Sequence, residues 1–143
     1  MPTHTGGCLC GQVRYTIDAE AGPSRLCWCR DCQRLAANGT VNVVFPTAAI
    51  HTVGPVAAFD KTADSGNRVT RRFCGTCGTQ LFSDSTGRPG LTVVRVGTLD
   101  DPSTVKPTAN IWTSSAPTWA HIDPALAGFD KAPPATPAPA AAK

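Results

Sequence analysis

Residues 74–77 read Cys74-Gly75-Thr76-Cys77, and residues 8–10 read Cys8-Leu9-Cys10. Cys74 and Cys77 face each other across a turn that Gly75 and Gly78 ease, because glycine tolerates backbone angles closed to other residues. Cys8 and Cys10 are two apart in an extended segment and so point to one side of it. Four thiolates gathered in this way suit a closed tetrahedral Zn²⁺, with Zn–S bonds of about 2.3 Å. Such an ion ties position 8 to position 77 and removes much of the entropy of the unfolded chain between them. Zinc binding can itself contribute on the order of 10 kcal/mol to folding.

The rest of the chain explains why a clamp is needed. Only 27 of the 143 residues are Val, Leu, Ile or Phe, too few for a large apolar core. Together with a high net charge, that fraction would indicate disorder, but the formal charge is only +3. With 13 Gly, 13 Pro and 18 Thr, short strands and turns are favoured over long helices. The length suits a single domain, expected over residues 1–131, followed by an Ala/Pro-rich tail at 132–143 that offers nothing to bury.

The remaining three of the seven cysteines lie in Cys27-Trp28-Cys29-Arg30-Asp31-Cys32. An odd total rules out complete disulfide pairing within the chain, and a reducing compartment favours thiols or metal thiolates. Three thiolates on zinc leave one tetrahedral position for water or an incoming thiol. This open site is where chemistry becomes possible, and a small-molecule thiol is the substrate that suits it. Two alternatives stand beside it: a second structural site completed by a histidine, or three reduced thiols. His4, His51 and His121 are the available histidines, and none lies at ligand spacing from the trio.

No stretch approaches the roughly 18 apolar residues of a membrane span, and the N-terminus lacks a charged region followed by an apolar one. A soluble, cytoplasmic chain without membrane contact is expected. The longest basic run is Arg71-Arg72, which gives nucleic-acid binding little support. Alternation of Val13, Tyr15 and Ile17 with polar residues predicts a half-buried strand within 9–17, followed by a turn at 19–24. A short helix is expected through Arg34 and Leu35, ended by Asn38-Gly39. Strands are expected at 41–45, 47–53, 81–83 and 91–96, and a hairpin of 56–61 with 68–73 delivers Cys74.

The three cysteine groups and their flanks resemble the glutathione-dependent formaldehyde-activating enzyme family, also known as the GFA or centromere-protein-V-like family. The resemblance rests on Gly7-Cys8-Leu9-Cys10-Gly11, on Cys27-Trp28-Cys29-Arg30-Asp31-Cys32-Gln33-Arg34 and on Arg72-Phe73-Cys74-Gly75-Thr76-Cys77-Gly78-Thr79. Gly97-Thr98-Leu99-Asp100-Asp101-Pro102, and Ile111-Trp112 followed by Trp119 and Phe129, resemble its later signatures. The resemblance implies a mainly β, Mss4-like zinc-binding fold of several coiled β-sheets with two Zn²⁺ sites. Cys8, Cys10, Cys74 and Cys77 would hold a structural zinc, and Cys27, Cys29 and Cys32 a second, more labile one.

The implied activity is that of a carbon–sulfur lyase, S-(hydroxymethyl)glutathione synthase-like, joining a small thiol such as glutathione to an aldehyde such as formaldehyde. Two positions depart from the family pattern. Trp28 stands where the family often carries His, and Asn110 stands where a His often precedes the Ile-aromatic pair. These departures keep an alternative in view: a noncatalytic zinc-binding module for a thiol or protein partner. Arg25, Arg30, Arg34, Arg71 and Arg72 flank the cysteine groups and are candidates either for carboxylate binding or for neutralising thiolates.

Overall fold

A computed structural model describes residues 3–133. Strand β2 (Arg14–Asp18) carries the predicted alternation: Tyr15 and Ile17 are buried, Val13 just before it is buried, and the residues between face solvent. Residues 9–12 form a turn instead of extending the strand, with the Gly11 amide donating to the Cys8 carbonyl. β2 is the middle of a three-stranded antiparallel sheet, flanked by β1 (Thr3–Gly7) and β5 (Ile50–Val53).

The second sheet has eight strands. β3 (Ser24–Cys27), β4 (Thr40–Pro46), β9 (Leu91–Arg95), β8 (Gln80–Ser85), β7 (Arg68–Cys74) and β6 (Val56–Thr62) follow one another as antiparallel neighbours. On the far side of β3, β10 (Ala109–Ile111) and then β11 (Ala127–Gly128) extend it in parallel. The β6–β7 hairpin ends on Cys74, as the sequence predicts.

The main apolar cluster joins Val13, Tyr15 and Ile17 of the small sheet to Val43, Phe45, Leu81, Phe82 and Val94 of the large one. The Tyr15 and Phe82 rings meet edge to face at 5.1 Å. Each such buried side chain contributes about 1.5–3 kcal/mol by leaving water. Cys74 is a member of this cluster, and Cys8 and Cys77 pack against it, so the first thiol group extends the core.

Three local expectations are corrected. Ser24 belongs to a strand, because β3 is held between β4 and β10, whereas its polar residues read as the end of a turn. The segment expected as a strand over 47–53 opens with a 3₁₀ turn at Thr47–Ala49 and extends only from Ile50. The only α-helix among the described residues, α1 (Arg30–Ala36), ends with Ala37 in the left-handed region, φ 58°, one residue before the expected Asn38-Gly39 stop. The result is a mainly β, Mss4-like arrangement of coiled sheets. The tail read at 132–143 lies outside the described residues from position 134 onward.

Candidate metal centres and a neighbouring cleft

Two turns of similar design build the first site. After β1, residues 8–11 turn back and Gly11 takes φ 82°; after β7, residues 74–78 turn back and Gly78 takes φ 80°. In the second turn the Gly78 amide donates to the Cys74 carbonyl at 2.9 Å, and the Cys74 amide donates to the Thr79 carbonyl at 3.0 Å. The turns are also tied to each other. The Leu9 amide donates to Thr79 Oγ1 at 3.0 Å, and the Thr76 hydroxyl donates to Gln12 Oε1 at 3.1 Å.

The sulfurs of Cys8, Cys10, Cys74 and Cys77 all lie within 4.8 Å of one another. Cys8 and Cys10 are 3.5 Å apart and Cys10 and Cys74 are 3.8 Å apart. A tetrahedron with Zn–S bonds of about 2.3 Å has S–S edges of about 3.8 Å, so these two separations suit a zinc ion. Amides point at the sulfurs: Val13 N–H at Cys8 (3.2 Å), and Thr76 and Cys77 N–H at Cys74 (3.4 Å each). Hydrogen bonds from Thr79 and its backbone pull the Cys77 thiol down to about 5.

The second site is assembled where β3 hands over to α1. Cys27 is the last residue of β3, Cys29 caps the helix, and Cys32 lies within it. The Cys29 sulfur accepts from the Cys32 amide at 3.3 Å. The segment is anchored on its far side: the Trp28 amide donates to the Ile111 carbonyl at 3.0 Å, and Gln33 Nε2 donates to the carbonyls of Trp28 (2.7 Å) and Ser115 (3.0 Å). All three sulfurs lie within 4.8 Å of one another, Cys27 and Cys32 being buried and Cys29 partly exposed. Crowding against Cys29 and Cys32 pushes the Cys27 thiol up. Hydrogen bonds from Cys27 and Cys29 push Cys32 down, and Arg95 and the Thr40 hydroxyl act in the same direction.

This cluster supplies three sulfurs for a metal. Among the described residues, no histidine or carboxylate joins either group. His4 instead packs its ring edgewise on Phe45 at 5.2 Å. Trp28 is 4% exposed, lies edge to face with Trp119 at 6.2 Å, and its Nε1 has no partner. Asn110 is fully buried within β10 and reaches the Asp123 carbonyl through Nδ2 at 3.4 Å.

A cleft of about 450 Å³ is lined by Cys77 of the first cysteine group and by residues of α1, β4, β8 and β9; of the trio's neighbours, Thr40, whose hydroxyl reaches Cys32, is in its wall. Gly39 and Thr40 bound it on the Cys32 side, Cys77, Thr79 and Gln80 on the other, and Arg95 also lines it. The volume is in the range of small-molecule sites. Arg95 is 8% exposed, donates through Nη1 to Asn42 Oδ1 at 2.7 Å, and has no partner for Nε. Burial lowers its pKa, while the sulfurs of Cys32, Cys27 and Cys29 oppose that shift.

The arginines expected near the cysteines divide by role. Arg71 is buried and reaches Asp31 Oδ2 at 3.4 Å, whose other oxygen accepts from Lys61 at 2.6 Å, fastening α1 to the β6–β7 hairpin. Arg72 pairs with Asp84 at 3.0 Å and lies over the Phe82 ring. Arg30 and Arg34 face solvent, and Arg25 is partly buried. The one that reaches the cleft, Arg95, is distant in sequence from every cysteine pair. Its signal was a lone charge at the end of Leu91-Thr92-Val93-Val94-Arg95, a strand buried along its whole length.

Among the described residues, no helix is long and apolar enough to cross a membrane. The crystal structure of a Rhodobacter sphaeroides protein is similar in fold, with a TM-score of 0.57 and 21% identity over 72% of this chain and 91% of that one. No curated protein matches the sequence. The family model described as "Glutathione-dependent formaldehyde-activating enzyme" matches residues 3–115, a span that contains both turns, both sulfur clusters and the whole cleft wall. The chain belongs to the glutathione-dependent formaldehyde-activating enzyme (GFA) family.

Proposed function

We propose that the protein is a zinc-dependent carbon–sulfur lyase-type enzyme that joins a small thiol to an aldehyde, and cleaves the adduct in reverse. The observation that carries this reading is the contrast between the two clusters. Cys8, Cys10, Cys74 and Cys77 offer four sulfurs, the number a tetrahedron needs, whereas Cys27, Cys29 and Cys32 offer three, in contact with Thr40 of the cleft wall through Cys32. With zinc bound at the trio, one coordination position remains, and the ion favours the thiolate form of an incoming thiol.

The chain's residues do the rest. The walls at Thr40, Thr79, Gln80 and Arg95 confine thiol and aldehyde together, and holding two reactants in register replaces a bimolecular encounter. The sulfur lone pair forms the C–S bond at the carbonyl carbon. The C=O π pair moves to oxygen, and that oxygen receives the proton the thiol gave up. Cleavage retraces these steps.

The test is the rate of adduct formation from glutathione and formaldehyde with wild type, with Cys29→Ser, and without protein. A rate above the blank that falls to it in Cys29→Ser supports the reading, and equal rates in all three refute it. A second reading, a noncatalytic zinc module for a thiol or protein partner, is favoured by Trp28 and Asn110. Both stand where relatives often carry His; both are buried, and neither side chain titrates near neutral pH. Thiol binding with no catalysis for any aldehyde tried would select it.

A further inference from the structure

We infer that β6 is a homodimerisation edge, pairing antiparallel with β6 of a second copy of this chain about a two-fold axis at Phe59.

β6 ends the eight-stranded sheet, and among the described residues no strand pairs with its outer side. Two hydrogen bonds that continue the β6–β7 ladder fix where its backbone groups point. The Gly75 amide donates to the Pro55 carbonyl at 2.7 Å, and the Ala63 amide donates to the Asn67 carbonyl at 2.8 Å. Along an antiparallel strand, successive residues alternate between bonding the neighbour and facing away from it. Ala57, Phe59 and Lys61 therefore bond β7, while the N–H and C=O groups of Ala58, Asp60 and Thr62 point out of the sheet edge. The opposite parity on β7 agrees: Cys74 and Arg68 bond the β8 side, through the Thr79 carbonyl and the Thr86 amide.

The other edges are short or covered. β11 has two residues and β5 four. β1 is bridged by Leu99 at Gly6, and its Thr5 carbonyl accepts from the Asp100 amide at 2.8 Å. β6 has seven residues and carries Phe59, which is 59% exposed. A long open edge with an exposed aromatic is a template for another strand.

The pattern of β6 selects a second β6 as that strand. Its outward groups belong to alternate residues, so a two-fold axis that matches donors to acceptors passes at a residue. An axis at Asp60 or at Lys61 sets like charges directly opposite each other, which is unfavourable. An axis at Ala58 shortens the paired stretch and leaves each Phe59 opposite Ala57. An axis at Phe59, the middle of the strand, pairs Val56–Thr62 over its whole length. Ala58 and Asp60 of one copy then exchange backbone hydrogen bonds with Asp60 and Ala58 of the other. The two Phe59 residues form a non-hydrogen-bonded pair, where Cα atoms come within about 4.5 Å and side chains are closest. The charges beside them already have partners. Lys61 is held by Asp31 at 2.6 Å, and Asp60 accepts from the Thr70 hydroxyl at 2.6 Å. The surface is thus complementary to itself, as a two-fold dimer requires.

The test is sedimentation of the zinc-loaded full chain, with hydrogen exchange on the same samples. Wild type is expected to pass reversibly from monomer to dimer between about 1 µM and about 1 mM. Phe59→Lys, which sets two ammonium groups opposite each other, should weaken the dimer about tenfold or more. Ala58→Pro should do the same, because it removes an outward donor and no bond to β7. Val53→Lys, at an exposed apolar residue of β5, should leave association unchanged.

Hydrogen exchange reads the register on wild type and decides the matter even if a variant does not fold. Rising concentration should slow the amides of Ala58, Asp60 and Thr62, while those of Ala57, Phe59 and Lys61 are slow throughout. A chain that stays monomeric to about 1 mM overturns the inference. So does a dimer that folded Phe59→Lys and Ala58→Pro leave as strong as wild type, or one in which the Ala58 and Asp60 amides still exchange fast.

Discussion

Removal of Cys74 should destabilise the zinc-loaded protein far more than removal of Cys29, and the difference can be worked from chain topology. A bridge between Cys10 and Cys74 spans 64 positions. Treated as a cross-link, a loop of that length removes about 4 kcal/mol of unfolded-state entropy, against roughly 2 kcal/mol for the few residues between Cys27 and Cys32. The first figure is a large fraction of the roughly 5–15 kcal/mol that a domain this size has in total. Urea unfolding of wild type, Cys74→Ser and Cys29→Ser, each with zinc and after chelation, separates metal from packing. Cys74 is fully buried in the main core, so part of the Cys74→Ser loss persists in the chelated proteins and must be subtracted. The metal-dependent part should exceed that of Cys29→Ser by about 2 kcal/mol. Equal metal-dependent losses would refute the view that the four-sulfur site is the topological clamp.

Other outcomes follow from single positions. Gly78→Ala places a Cβ in open space but at φ 80°, so a loss of about 1–2 kcal/mol in the unfolding free energy is expected from backbone strain alone; an unchanged value would mean that the turn is not held in that conformation. A Cβ at Gly39 would sit 2.9 Å from the Trp28 ring, so Gly39→Val should shift the buried indole, alter the intrinsic fluorescence and cost about 1–3 kcal/mol. An unaltered spectrum with an unaltered urea midpoint would contradict that packing. Asp100 is held down to about 2 by Arg14 and by the Thr5 hydroxyl. Its folded pKa lies below the unfolded value near ~3.9, so its stabilisation is present above pH 4 and is lost as pH falls towards 2. Asp100→Asn should flatten that limb relative to wild type in urea midpoints taken at pH 5 and pH 2.5, and parallel profiles would count against it.

The parts of the fold that were legible were those whose reason is local. The spacing of the cysteines marks two pairs and a trio, each brought together by its own turn, while the meeting of the two pairs across 64 positions is a matter of tertiary packing. Tyr15 and Ile17 announce β2 by alternation, and the β6–β7 hairpin is bracketed by Gly54-Pro55 and the polar loop at 63–67. What stayed hidden depends on distant neighbours. β1, Thr3–Gly7, carries no large apolar residue, and it is a strand because β2 supplies its hydrogen bonds. β3 and β10 pair in parallel across more than 80 residues, a partnership that no local pattern encodes. Arg95 escaped for the same reason: its neighbours in sequence are apolar, while its partner Asn42 and the sulfurs it influences come from β4 and from the β3–α1 junction.

The turn at 74–79 has two faces. One presents Cys77 to the four-sulfur cluster, and the other forms a wall of the cleft through Cys77, Gly78 and Thr79. Occupancy of the cluster by a metal and occupancy of the cleft by a ligand would therefore act on the same short segment, and coupling between them is expected. By reciprocity, whatever factor the metal adds to the affinity of a cleft ligand, the ligand adds to the retention of the metal. With positive coupling, a chelator that never enters the cleft would weaken such a ligand, and a saturating ligand would slow the loss of zinc from the cluster.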